Sequence, residues 1–142
     1  MNLAFRVDSS NLIGSGHLVR CLKLAKELSH KCNKIIFITK NFKNNFNSLI
    51  KKKNFKLVLI KNNFSRKKIV YDINSTKKIC KKYKVDILIK DHYHLNHTWE
   101  KGIKKSVTKL VVIDDFTKKR HFCDIIFNNL NNKNFNNSKK YS

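Results

Sequence analysis

Short apolar segments alternate with helix-length segments along nearly the whole chain, and this alternation restricts the fold more than any single motif does. Residues 3–7, 34–39, 56–60, 86–90, 109–113 and 124–127 are rich in Leu, Ile, Val and Phe and bounded by polar loops, so each reads as a strand. Between them, residues 17–29, 42–52, 69–83 and 97–105 read as helices. In the first, Leu18, Cys21, Leu22, Ala25 and Leu28 recur at spacings of three and four; Phe42, Phe46, Leu49 and Ile50 face inward in the second, and Ile69, Ile73, Ile79, Cys80 and Tyr83 give another helical pattern in the third. Apolar strands interleaved with helices predict a Rossmann-like α/β fold, with a mostly parallel sheet covered on both faces. Right-handed crossovers gather the loops that follow the strands at one sheet edge, where such folds bind ligands. Those loops are 8–17, 91–100 and 114–123.

With 142 residues, 41% of them apolar, the chain has material for one domain. Residues 1–128 are assigned to it. From 129 to 142 the text is mostly Asn and Lys, punctuated by Leu130, Phe135 and Tyr141, and reads as a linker or disordered tail. No apolar run approaches the roughly 18 residues of a membrane span, and the start Met1-Asn2-Leu3-Ala4-Phe5-Arg6 has no signal-peptide pattern, so a cytoplasmic protein is expected. The formal charge of +23 suggests phosphate binding, but only four of the 32 basic residues are arginine, the better reader of phosphates and bases. Abundant Lys and Asn without proline fits an AT-rich coding bias, so nucleic acid is not the expected partner. Cys21, Cys32, Cys80 and Cys123 form no C-x-x-C pair and read as reduced thiols.

Three loops hold the candidate chemistry. Gly14-Ser15-Gly16-His17 follows a strand and opens a helix, where backbone amides and the helix dipole receive negative charge. It is neither a dinucleotide fingerprint, because Val19 stands where the third glycine belongs, nor a Walker loop, because no Gly-Lys-Ser/Thr follows. Its glycines permit close approach of a ligand beside the His17 imidazole. The helix end and nearby lysines disfavour imidazolium, which makes His17 a candidate proton acceptor, or else only a helix cap. Asp91-His92-Tyr93-His94 follows the fourth strand; Asp91 and His92 are expected to face the crevice, with Trp99 anchoring the next helix. Alternating His92, His94 and His97 lack the partners of a metal site, and no metal or other cofactor is expected. Asp114-Asp115 ends the fifth strand, and Arg120 and His121 are candidates to neutralise that pair internally.

In their order, Phe5-Arg6-Val7-Asp8, Ile13-Gly14-Ser15-Gly16-His17, Arg20-Cys21-Leu22, Leu24-Ala25, Asp91-His92-Tyr93 with Trp99-Glu100, Val112-Ile113-Asp114-Asp115 and Arg120-His121-x-Cys123-Asp124 resemble the amino-terminal motifs of the PseG family. These are the UDP-sugar hydrolases of pseudaminic acid biosynthesis. The resemblance covers about residues 3–129. It implies one half of a glycosyltransferase-B (MurG-like) fold, in which two Rossmann-like domains face each other across a cleft. It further implies cleavage of UDP-2,4-diacetamido-2,4,6-trideoxy-β-L-altropyranose to UDP and free sugar, by inverting attack of water at the anomeric carbon without a metal. The family's catalytic histidine falls on His17. By analogy Asp8, Gly14, Ser15, Gly16, Arg20, Asp91, His92, Tyr93 and Asp115 bind substrate, with Asp8 orienting His17.

The family's second, nucleotide-binding domain lies beyond the resemblance. The sequence ends at Ser142, so a truncated chain is expected, weak or inactive unless a separate C-terminal domain polypeptide completes the cleft. Two alternatives accompany this reading: the acceptor-binding domain of a related glycosyltransferase, and a noncatalytic basic module that binds polyanions.

Overall fold

The computed structural model describes residues 1–62, 68–116 and 119–128. The stretch expected to be a linker or tail, from 129, lies outside them. Six parallel strands form one sheet: β1 (Asn2–Val7), β2 (Lys34–Lys40), β3 (Lys56–Ile60), β4 (Ile87–Asp91), β5 (Lys109–Ile113) and β6 (Ile125–Phe127). Their order is β3-β2-β1-β4-β5-β6. The chain builds outward from β1 on one side, then crosses back to add β4 on the other. Loops leaving β1 and β4 therefore diverge, and a crevice opens between them.

Strand residues alternate between the two faces. Leu3, Phe5 and Val7 of β1, with Ile89, Val111 and Ile113, pack against α1 (Gly16–Leu28) and α2 (Ser48–Lys52). Ala4, Leu88 and Leu110 face α3 (Lys68–Tyr83) and α4 (His97–Lys104), where Ile73, Cys80, Trp99 and Ile103 close a second core. Burial on both faces explains why the central strands are almost continuously apolar. Cys21 and Cys80 are buried in these cores, as expected of small apolar residues.

One element departs from its periodicity. The helix expected over 42–52 is only Ser48–Lys52. Upstream, asparagine side chains take the backbone's hydrogen bonds: Asn45 Nδ2 donates to the Phe42 carbonyl at 2.7 Å, and the Asn47 amide donates to Asn45 Oδ1 at 2.9 Å. Asn44 adopts a φ of 52°. Such local bonds compete with helix, and the period of Phe42 and Phe46 cannot register them.

Candidate functional site

The alternation that sorts the cores also sorts the charges at the C-terminal edge of the sheet. Asp91, in phase with Ile87 and Ile89, faces α1. Its Oδ1 lies 2.6 Å from His17 Nδ1, and Arg20 grips the same carboxylate through Nε (2.8 Å) and Nη2 (2.7 Å). Arg20 Nη1 reaches Asp115 at 2.9 Å, and the Tyr93 hydroxyl donates to Asp115 at 3.1 Å. The Tyr93 ring meets His17 edge-on, with centroids 4.3 Å apart. Burial pushes the Asp91 carboxyl upward, but the bonds from His17 and Arg20 outweigh it and hold Asp91 below the usual carboxylate range.

An ionised carboxylate only accepts hydrogen bonds, so His17 Nδ1 carries the proton that Asp91 receives. In the neutral ring Nε2 is then a bare acceptor. His92 is the opposite case. Its Nδ1 accepts the His94 amide at 3.1 Å, which obliges Nε2 to donate to Asp8 at 2.8 Å. Both nitrogens are occupied, and burial holds its pKa below the ordinary imidazole value against the pull of Asp8. Of the two histidines, His17 is the one with a ring nitrogen uncommitted among the described residues.

Asp8 does not orient His17, contrary to expectation. In phase with Ala4 and Arg6, it turns to the α3 face, where Arg6 Nη1 and Nη2 hold it at 2.6 and 3.0 Å. Arg6 also holds Asp72 of α3, at 2.7 Å, and Trp99 Nε1 donates to Asp72 at 2.8 Å. Arg6 and Asp72 are completely buried. Asp8 and Asp72 are held below the carboxylate range because Arg6 outweighs their desolvation.

A third cluster fills the neighbouring strands on that face. Lys90 Nζ donates to Glu100, and His121 bridges Glu100 (2.8 Å) and Asp114 (2.7 Å). The bond to Glu100, reinforced by Asp114 and opposed by burial, raises the His121 pKa. The internal neutralisation expected of Asp114-Asp115 is thus divided. His121 serves Asp114, Arg20 serves Asp115, and Arg120 serves neither, standing exposed.

Asp8, Ile13, His17, Asp91, His92 and Tyr93 line a crevice of about 390 Å³. Its lip is the loop before α1. Gly14 takes a φ of +87°, a conformation suited to glycine, and its amide closes the turn onto the Ser10 carbonyl at 2.7 Å. A Cβ on Gly14 or Gly16 would meet nothing, so both glycines border open space. Ser15 caps α1 in position but offers no side-chain hydrogen bond, which leaves the first amides of that helix without a side-chain cap. Arg20, expected to face substrate, is engaged with Asp91 and Asp115.

Motif reading missed Arg6, Lys90 and Asp72. The first two carried a signal: a charged residue inside a central parallel strand demands a buried partner, and Arg6 and Lys90 are cross-strand neighbours. Acidic residues are also scarce, nine against 32 basic ones, yet Asp8, Asp72, Asp91, Glu100, Asp114 and Asp115 all gather at this edge. Nothing in the text of α3 marks Asp72. Among the described residues no cluster of three or more His, Cys, Asp or Glu could hold a metal ion, and no helix is long and apolar enough to cross a membrane.

No family model matches the chain. It is 28% identical over 143 residues to the uncharacterized protein MJ1062 of Methanocaldococcus jannaschii, covering 99% of this chain and 27% of that protein. The structure resembles the crystal structure of MurG from Acinetobacter baumannii, with a TM-score of 0.62 and 17% identity over 82% of this chain and 36% of that one. The likeness to MurG shows a Rossmann-like fold of the glycosyltransferase-B kind. The chain spans roughly a quarter to a third of the length of the proteins it matches.

Proposed function

We propose that the chain is the amino-terminal wall of a cytoplasmic UDP-sugar hydrolase, and that His17 is its general base. The substrate is the one the PseG resemblance implies, UDP-2,4-diacetamido-2,4,6-trideoxy-β-L-altropyranose. The observation that carries the reading is the His17–Asp91 pair: Nδ1 is committed to a buried carboxylate, and Nε2 is left as acceptor beside a crevice at the open edge of the sheet. Water attacks the anomeric carbon as its proton passes to Nε2. The bond from that carbon to the diphosphate oxygen breaks, and its electron pair leaves with UDP. UDP is a competent leaving group, so orienting the water and stabilising the departing charge are the main tasks. The weakly capped start of α1 favours that charge, and a facing C-terminal domain supplies the nucleotide contacts. Without such a domain, little turnover is expected.

The test is to incubate the UDP-sugar in H₂¹⁸O with the chain, alone and with a C-terminal domain polypeptide. Label in the released sugar supports the reading, whereas label in UDP, or no cleavage by the completed cleft, overturns it. A second reading, suggested by the likeness to MurG, keeps the same His17 base but passes the sugar to an acceptor hydroxyl. It predicts product only when an acceptor is added.

A further inference from the structure

A second cavity of about 240 Å³ lies beyond the Tyr93 side of the crevice, between the loops that follow β4 and β5. Tyr93 and His92 line both cavities. Its charges are unevenly matched. Lys90 is neutralised by Glu100, and Asp114 is held by His121. Lys119 lies over the rings of Tyr93 and Phe116, 5.6 and 5.2 Å from their centroids, without a carboxylate partner among the described residues. Arg120, at the rim, makes no hydrogen bond or ion pair with any described residue. A guanidinium in that state has its whole fork of donors to offer. His97 also lines the cavity, and its Nε2 is a buried polar atom with no hydrogen-bond partner among the described residues. Buried polar atoms are nearly always paired.

We infer that this cavity binds an anionic group, a phosphate or a carboxylate, which Arg120 takes in bidentate fashion while Lys119 contributes charge and His97 a hydrogen bond. The site is separate from the chemistry assigned to His17, and the wall they share lets one ligand occupy both. An anion fits better than a neutral polar group because the two unmatched cations lie at the mouth, while the acids on the wall already have partners.

Titration of the full chain with inorganic phosphate and, separately, with acetate tests this, followed by NMR of the His97 ring and the Arg120 side chain against a sodium chloride control of equal ionic strength. Saturable shifts at both residues are expected, and the anion that produces them identifies the ligand class. Arg120→Gln is expected to weaken binding about tenfold. Lys52→Gln, which removes the same charge from an exposed position on α2, is expected to leave it unchanged. Equal loss in both variants, or shifts reproduced by chloride, overturns the site. His17→Gln separates the two proposals, since it should abolish turnover and leave anion binding intact.

Discussion

His17 Nδ1 and Asp91 Oδ1 stand 2.6 Å apart, though 74 residues separate them in the chain. Parallel pairing of β1 with β4 produces the contact, setting Val7 opposite Asp91 so that the carboxylate emerges beneath the start of α1. The pair commits Nδ1 and leaves Nε2 as the free nitrogen of the ring. Asp91→Asn offers an amide in place of an obligate acceptor and frees the ring to take the other tautomer. If His17 is the base we propose, kcat of the chain assayed with an added C-terminal domain polypeptide is expected to fall about 100-fold or more with little change in KM, as befits loss of an oriented base. Steady-state kinetics beside a circular dichroism spectrum would separate this from unfolding.

Arg20 holds Asp91 and Asp115 with one rigid fork. Lysine keeps the charge but not the geometry. Arg20→Lys should therefore loosen Asp91 and lower kcat about tenfold, on the order of one lost charge-assisted bond. The His17 ring signal should broaden or shift in the variant. An unchanged spectrum and rate would mean that Asp91 needs no second anchor.

Arg6 is buried between Asp8 and Asp72. Arg6→Leu leaves both carboxylates without their main partner, and the expected loss is about 3 kcal/mol of folding stability. Urea unfolding would measure it. Acid should narrow the gap, because protonating the stranded carboxylates relieves the variant.

His121 titrates above its ordinary value of 6.5 in the fold. Its stabilisation is therefore complete below that pH and is lost as pH rises through the raised folded value. Asp72, Asp91 and Glu100 are shifted downward, so their contribution is present above the ordinary carboxylate range and lost as pH falls through the lowered values. Melting curves of wild type and His121→Asn, compared from pH 5.5 to 9, should converge toward the alkaline end. Parallel curves would contradict the bridging role.

Gly102 sits in α4 where an added Cβ would come within 2.7 Å of Ile73 Cδ1, on the facing helix α3. Alanine gains about 1 kcal/mol of helix propensity, against an overpacking cost of about 1–3 kcal/mol in a closed core. Gly102→Ala alone is thus expected to be neutral to destabilising. In an Ile73→Val background, which lacks Cδ1 but keeps Cγ2 and Cγ1 at 3.1 and 3.2 Å, the cost of the added methyl should shrink. A double-mutant cycle in urea reads the coupling directly.

The parallel α/β architecture was legible in the sequence, because strands buried on both faces must be short, apolar and separated by helices. The loop of Gly14, Ser15, Gly16 and His17 was legible too, since a helix must begin there and Gly14 takes a left-handed φ. The partnerships were not. Motif reading paired Asp8 with His17, although strand phase sends Asp8 to the α3 face and Asp91 to the α1 face. Likewise the apolar period of 42–52 carried no trace of the asparagine bonds that shorten α2. Periodicity is a local property, and the chain displays it residue by residue. Which carboxylate meets which cation depends on strand order and on the phase in which each strand leaves the sheet, and those exist only once distant segments have paired.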